Sequence, residues 1–283
     1  MRPALKTLDA TYRARAIPAG SERYWSWLFA AAPARPPLLG IYALLAEWNA
    51  LMDPATEHSA AQIKLAWWQE EIRRLAAGVP VHPVGIYLAS LPRAGEVDFA
   101  RLAPSIDAAV VETNGAPLER AAELEPHARA LRAPPLTLAS RLVAEGLDDT
   151  ALGVCTQALA VADYISRATR GYRREVQLGR TPFPVDELLA AGIDNTDLRA
   201  EHAPPPLENY LAQLRQRARE QYETAARALP LEHRSQLRHL LVLAALGLKH
   251  LLARAPTGTA TGAQDLLLAW STARRAQVTQ RPL

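Results

Sequence analysis

Apolar side chains recur along most of this chain at spacings of three and four residues, which is the period of an amphipathic α-helix. Over residues 21–32 this spacing places Tyr24 and Leu28 on one face, whereas residues 38–52 are apolar nearly all round and are predicted to be deeply buried. The alternation typical of β-strands does not occur over a useful length. The pattern therefore predicts an all-α protein.

Proline, glycine and aspartate residues mark the ends of the predicted helices. The helices are predicted over residues 21–32, 38–52, 59–77, a short stretch after Pro83, 99–111, 117–131, 136–143, 150–172, 185–191, 207–228, 232–253 and 262–276. Pro134 and Pro135 are expected to break or kink the chain. Neither a repeat nor a long linker is found, so we predict one domain over residues 1–283, with loose ends at 1–18 and 279–283.

Composition supports a helical, globular chain. The hydrophobic fraction of 49% is enough for a sizeable core, and only three phenylalanines occur among abundant leucine, alanine, arginine and glutamate. The net charge of +3 is small and, apart from one arginine cluster, spread out. Nucleic-acid binding is therefore not expected.

Cysteine usage and apolar runs indicate the compartment. The single cysteine, Cys155, cannot form an internal disulfide, which fits a reducing environment. The N-terminal residues lack the apolar run of a signal peptide, and the longest apolar run, 240–248, is far shorter than the roughly 20 residues that span a bilayer. We expect a cytoplasmic protein without a transmembrane segment, and a peripheral membrane contact stays open.

Several segments, in order, resemble the squalene/phytoene synthase family. Tyr24, the Pro-Ala-Arg35 turn and the Tyr-Ala-Leu44 stretch are similar to that family's first helix, its arginine and its Tyr-Ala-Phe stretch. Residues 64–72 resemble its Trp-Arg-x-Glu-Leu helix, and residues 179–192 resemble the Gly-Arg segment after its second aspartate motif. The resemblance covers about residues 20–195. It implies a helical bundle of the class I isoprenoid synthase fold around a central cavity.

In that family, two Asp-x-x-x-Asp helices face each other and hold Mg²⁺ ions that bridge to a prenyl diphosphate. Here the resemblance places Asn49 and Asp53 at the acidic positions of the first motif, and Gly171 and Glu175 at those of the second. Asp53 and Glu175 are thus the catalytic candidates. Because arginines occupy part of the space, we expect the Mg²⁺ cluster not to form, with no metal site and no cofactor. The pattern resembles the degenerate branch that includes a mitochondrial complex I assembly factor.

The resemblance also implies substrate-binding residues, each of which has an alternative interpretation. These candidates are Tyr24, Arg35, Asn49, Arg170, Arg174 and Arg180. The arginine cluster at 167–180 either binds an anion directly or is a solvated helix end, with Asp163 pairing with Arg167. Asp53 precedes Pro54 and suits a turn, Glu175 suits an ion pair with a nearby arginine, and Arg35 suits helix capping.

Adjacent Trp67 and Trp68 lie about 100° apart on a helix, so one ring is predicted in the core and the other at a rim or partner contact.

Three hypotheses for the function follow. The first is a non-catalytic or weakly active family member that binds a prenyl diphosphate, another lipid-like ligand or a partner protein. The second is a working Mg²⁺-dependent prenyltransferase that joins two prenyl diphosphates head-to-head. The third is an assembly protein whose protein partner docks on the helix of Trp67 and Trp68.

Overall fold

The computed structural model describes residues 8–252 and 262–278, and all the regular structure in these two ranges is helical. The α-helices are α1 (Ala10–Ala16), α2 (Glu22–Leu28), α3 (Arg35–Met52), α4 (His58–Ala76), α5 (Pro83–Ala89), α6 (Ala103–Thr113), α7 (Ala121–Val143), α8 (Asp149–Gln177), α9 (Val185–Ala190), α10 (Asn195–Arg199), α11 (Pro205–Ala228), α12 (Arg238–Leu252) and α13 (Gly262–Val278). Short 3₁₀-helices lie at Ala32–Ala34, Ala94–Glu96, Phe99–Leu102 and Leu231–His233. The predicted all-α class is confirmed.

Helices α3 and α8 form the centre of the bundle. Leu38, Ile41 and Leu44 of α3 have no exposed surface, as expected from the nearly all-round apolar character of this segment. Helix α8 packs between α7 and α11, and α3 contacts α1, α5 and α7. The C-terminal ends of α3 and α8, which carry the two motif segments, therefore lie in the same part of the molecule.

Helix α13 attaches to this bundle through α12 and α2. The buried apolar cluster at this junction is small, and it consists of Val242, Leu246, Ala269 and Ala273, with Trp25, Phe29 and Leu268 partly buried against it. Because the buried apolar area is limited, polar interactions also contribute to holding α13 in place.

Most helices begin and end within a few residues of the predicted bounds, with four differences. The chain does not break at Pro134 and Pro135, where helix α7 is continuous, because one of its faces is buried along its full length. Residues 10–17 are not loose, since Asp9 caps α1, and Ala16 and Ile17 are buried. Helix α12 begins six residues later than predicted, and the short helix α10 was not predicted at all. The other expected loose residues, 1–7 and 279–283, lie outside the described ranges.

The expectation for the tryptophan pair is confirmed. Trp68 is 4% exposed and packs edge-on against Trp48, whereas Trp67 is 39% exposed. Within the two described ranges, the structure contains no helix long and apolar enough to cross a lipid bilayer.

Candidate functional site

A cleft of about 350 Å³ opens where the C-terminal halves of α3, α6 and α8 meet α7 and the loop after α8. Five of the predicted site residues line it, namely Asn49, Asp53, Arg174, Glu175 and Arg180. These residues come from two segments more than 100 positions apart, and the fold brings them together where the end of α8 meets the end of α3. The cleft is therefore the candidate site.

Asp53 is held by an arginine of the opposite motif. Arg174 donates to its Oδ1 over 2.7 Å, and the backbone N–H of Ala55 donates to the same oxygen over 2.9 Å. The hydrogen bond from Arg174, with that from Ala55, lowers the pKa of the Asp53 carboxyl. Asp53 thus serves both as a turn residue and as the partner of an arginine, and it is ionised at neutral pH.

The Glu175 carboxylate lies in the same cleft without a hydrogen bond or ion pair among the described residues. Partial burial raises the pKa of its carboxyl. Arg180 and Arg174 oppose this rise, while the negative charges of Glu112 and Asp53 add to it. Opposite Glu175 in the motif, a side chain at Gly171 would meet no heavy atom within 4 Å, so this position is open and carries no ligand group.

Asn49 and Arg180 make structural contacts at the edge of the cleft. The Asn49 side-chain oxygen accepts from Arg132 over 2.7 Å, and Arg180 donates to the Met52 carbonyl oxygen over 3.1 Å. The second contact satisfies one of the last carbonyl groups of α3 and ties the loop after α8 to that helix.

The other three predicted substrate-binding residues do not line this cleft. Arg35 donates to the Leu28 carbonyl oxygen over 2.9 Å and lies over the Trp27 ring, in keeping with capping of α2. Tyr24 packs edge-on against the Trp25 ring, and Arg170 lies 3.5 Å from a carboxylate oxygen of Glu22. Their role in substrate binding stays a prediction.

Of the two remaining arginines in the 167–180 cluster, one faces the cleft and the other does not. Arg173 points away from the cleft and donates to the Ala200 carbonyl oxygen over 2.7 Å. Arg167 faces the cleft and donates to Asp163 over 2.8 Å, as its spacing from that residue predicted. The solvated-end interpretation therefore holds for Arg173, whereas Arg167, Arg174 and Arg180 supply positive charge to the cleft.

Sequence reasoning missed a second polar group in the cleft, formed by Glu112, His127 and Tyr164. His127 lies 2.7 Å from a Glu112 carboxylate oxygen, and the Tyr164 hydroxyl donates to that oxygen over 3.3 Å. Burial opposes ionisation of Glu112, but the hydrogen bond and charge of His127, together with Arg132, lower the pKa of its carboxyl overall. The three residues come from three helices, and no local spacing in the sequence connects them.

Arg132 was also missed, although the sequence carries a signal for it. It lies on α7 four residues after the buried Ala128, on a stripe otherwise occupied by apolar side chains. An arginine on an apolar stripe indicates a charge held inside the bundle, and Arg132 indeed lines the cleft with only 14% of its side chain exposed.

Comparisons with known proteins agree with this helical fold. The model of the squalene/phytoene synthase family matches residues 18–279 of this chain. No curated protein sequence matches the chain.

Two solved structures share the fold at low identity. The crystal structure of squalene synthase HpnC from Alicyclobacillus acidocaldarius is 20% identical, with a TM-score of 0.69 over 91% of this chain and 97% of that one. A dehydrosqualene synthase in complex with a ligand is 15% identical, with a TM-score of 0.71 over 94% of this chain and 96% of that one. These likenesses establish the isoprenoid synthase fold, and with the family match over nearly the whole chain they show that this protein belongs to the squalene/phytoene synthase family.

Proposed function

We propose that this protein is a family member in which arginine side chains bind a diphosphate ligand directly, and in which Mg²⁺-dependent head-to-head condensation is weak or lost. The observation that carries the proposal is the 2.7 Å contact between Asp53 and Arg174. The surviving carboxylate of the first motif is neutralised by a cation from the second motif helix. In a magnesium-dependent site, that oxygen would face a metal ion instead.

The donor set of the cleft fits a cluster of magnesium ions poorly. Mg²⁺ prefers near-octahedral coordination by carboxylate and water oxygens, and each motif here contributes one carboxylate. Across residues 8–252 and 262–278, no group of three or more acidic, histidine or cysteine side chains is arranged to hold a metal ion. Arg174 and Arg180 lie beside the two remaining carboxylates, and their charge would repel a dication at short range.

The same arginines are suited to phosphate. A guanidinium group donates two parallel hydrogen bonds to phosphate oxygens and needs no metal to do so. Arg132, Arg167, Arg174 and Arg180 all line the cleft. A diphosphate bound there would replace neighbouring ion pairs with stronger contacts to a dianion or trianion. The ligand class we propose is therefore a prenyl diphosphate or another lipid-like phosphate ester.

Thermal unfolding with farnesyl diphosphate tests this proposal. With a chelator present, we expect the ligand alone to stabilise the native state, by about 2.7 kcal/mol at about 100 times its Kd. Added Mg²⁺ should not increase that stabilisation, because Asp53 is already paired with Arg174 and a dication near Glu175 would be repelled by Arg180. Differential scanning fluorimetry measures the shift in unfolding temperature. Because Mg²⁺ also binds the ligand itself, a parallel series with Ca²⁺ is the control.

A specific observation favours the alternative, a working prenyltransferase. Asp53, Glu112 and Glu175 lie near enough in one cleft to influence one another, and a carboxyl with a raised pKa, such as that of Glu175, is typical of acid–base sites. A thermal shift that requires Mg²⁺, or turnover of farnesyl diphosphate that Glu175→Gln abolishes, would establish this alternative and refute the first proposal.

We further propose a protein-binding role for the outer face of α4. Trp67 is 39% exposed and Arg74 lies over its ring, Ile63 is exposed one helical turn earlier, and Val79 and Val81 are exposed just after the helix. Exposed aromatic and aliphatic side chains that share a surface commonly mark a partner site. We expect Trp67→Ala to lower the yield of a cross-linked partner at least about fivefold while the protein stays folded, whereas Trp270→Ala, at a residue with 47% exposure, should leave the yield unchanged. An equal yield in both variants would count against this role.

A further inference from the structure

A second, smaller cavity lies behind the cleft and carries more positive charge. Its volume is about 60 Å³, and its walls come from α2, α3, α7, α8, α11 and α12. Arg132 and Arg167 line both spaces and stand between them. Tyr42, Leu159 and Tyr222, which line only the inner space, are at most 3% exposed. We call this inner space the chamber.

Three guanidinium groups face the chamber and only one carboxylate does. Arg23, Arg132 and Arg167 are the cations, and Asp163 is the anion. Asp163 accepts from Arg167 over 2.8 Å and lies 3.9 Å from Arg132. Burial opposes ionisation of Asp163, but the arginines lower the pKa of its carboxyl overall, so it is charged. One anion among three cations leaves an excess of positive charge.

Carboxylates outside the chamber wall offset this excess only in part, because each also has partners of its own. Glu22 lies 2.7 Å from His250 and 3.5 Å from Arg170. Glu112 lies 2.7 Å from His127. Burying an uncompensated cation is unfavourable, and burial with the charge of Arg167 lowers the pKa of Arg132 to about 10.

The arginines also present donors that nothing in the described chain accepts. The Nε group of Arg132 is buried and has no hydrogen-bond partner, although its Nη1 reaches Asn49 over 2.7 Å. Arg23 makes one long contact of 3.4 Å with the Tyr42 carbonyl oxygen. A buried charged donor without an acceptor is costly, and such donors indicate a missing anionic partner.

We propose that the chamber binds a phosphate group, with Arg23, Arg132 and Arg167 as its ligands, so that the anionic end of the ligand faces inward. This inference deepens the proposed function and rests on it. One water molecule needs about 10–15 Å³ of cavity volume. The chamber, at about 60 Å³, therefore has room for a group the size of a phosphate but not for an isoprenoid chain. Any hydrocarbon part of the ligand would then lie in the outer cleft.

Isothermal titration with inorganic phosphate and pyrophosphate, in the presence of a chelator, tests the chamber. Arg23 lines the chamber only, and Arg174 lines the outer cleft only. We expect Arg23→Met to weaken binding at least about tenfold, and Arg23→Lys, which keeps the charge, to weaken it less. Arg173→Met is the matched control, because Arg173 faces α10 outside both spaces. Its affinity should stay within about twofold of the native value.

The possible outcomes separate the two proposals. A larger loss in Arg174→Met than in Arg23→Met would put the phosphate at the mouth of the cleft and overturn the chamber site, while arginine binding would stand. No binding by the native protein without Mg²⁺ would overturn both. If Arg23→Met does not fold, the comparison of Arg23→Lys with Arg174→Lys decides in the same way. If farnesyl diphosphate competes with pyrophosphate for the chamber, the phosphate that binds there is lipid-borne. If farnesyl diphosphate does not compete, the chamber binds a free phosphate.

Discussion

Replacing Asp265 with alanine is expected to lower the free energy of unfolding by about 3–5 kcal/mol, because the substitution leaves the buried His250 and the half-buried Lys249 without their carboxylate. Asp265, at the start of α13, is 2% exposed. It accepts from Lys249 over 2.5 Å and lies 3.0 Å from the Nε2 atom of His250. Both partners belong to the last turn of α12, so the carboxylate joins the two helices.

The network extends beyond α13. The Nδ1 atom of His250 lies 2.7 Å from Glu22, which also pairs with Arg170 on α8. An imidazole with a carboxylate on each nitrogen donates to both only when it is protonated. The hydrogen bond to Glu22, with help from Asp265, raises the pKa of His250 despite burial. The stability contributed by protonated His250 is therefore fully present below the ordinary histidine pKa. It is lost as pH rises through the raised pKa of His250.

Denaturant unfolding near pH 6 measures the effect of Asp265→Ala. Asp149→Ala is the matched control, since Asp149 is 69% exposed and pairs with one arginine, Arg141, on the surface. Surface pairs contribute at most about 1 kcal/mol, so the control should change stability far less. A loss in Asp265→Ala no larger than that of the control would mean that the small apolar junction alone holds α13.

The sequence was sufficient to predict the long helices, because each of them buries a continuous stripe that repeats at the helical period. The short helices α1 and α10 contain too few turns for a period to be visible. Pro134 and Pro135 looked like a break because proline removes backbone donors, which is a local argument. The burial of Leu131, Pro135 and Leu138 along one face keeps α7 continuous, and that burial depends on α8.

In the candidate site, only the residues that belong to the two motif segments could be predicted from the sequence. Asp53, Arg174 and Glu175 were placed in one cleft by resemblance, and the fold brings them there. The contact of Asp53 with Arg174 depends on the distance between two helices, which no local pattern contains. Glu112 and His127 were missed for the same reason, since they lie on different helices and meet only in the folded bundle.

Lowering the pH from 7 to about 5 is expected to cost about 2 kcal/mol of stability through His239 alone. His239 is 1% exposed on α12, and neither ring nitrogen has a hydrogen-bond partner in the described chain. Burial, with a smaller effect of Arg238, lowers the pKa of its imidazole to about 3. The unfolded chain therefore binds a proton below about pH 6.5 that the folded chain does not, and unfolding is favoured as pH falls through this window.

His239→Leu should remove most of this dependence, because leucine fills a similar buried volume and binds no proton. Unfolding free energies at pH 7, 6 and 5 would measure the difference between variant and native protein, with His202→Leu, at an exposed histidine, as the control. The window lies above the ordinary pKa of aspartate and glutamate, about 4, so their protonation adds little. The His250 network loses stability in the opposite direction, as pH rises. A pH dependence in His239→Leu as steep as in the native protein would mean that the buried imidazole accepts a proton without unfolding.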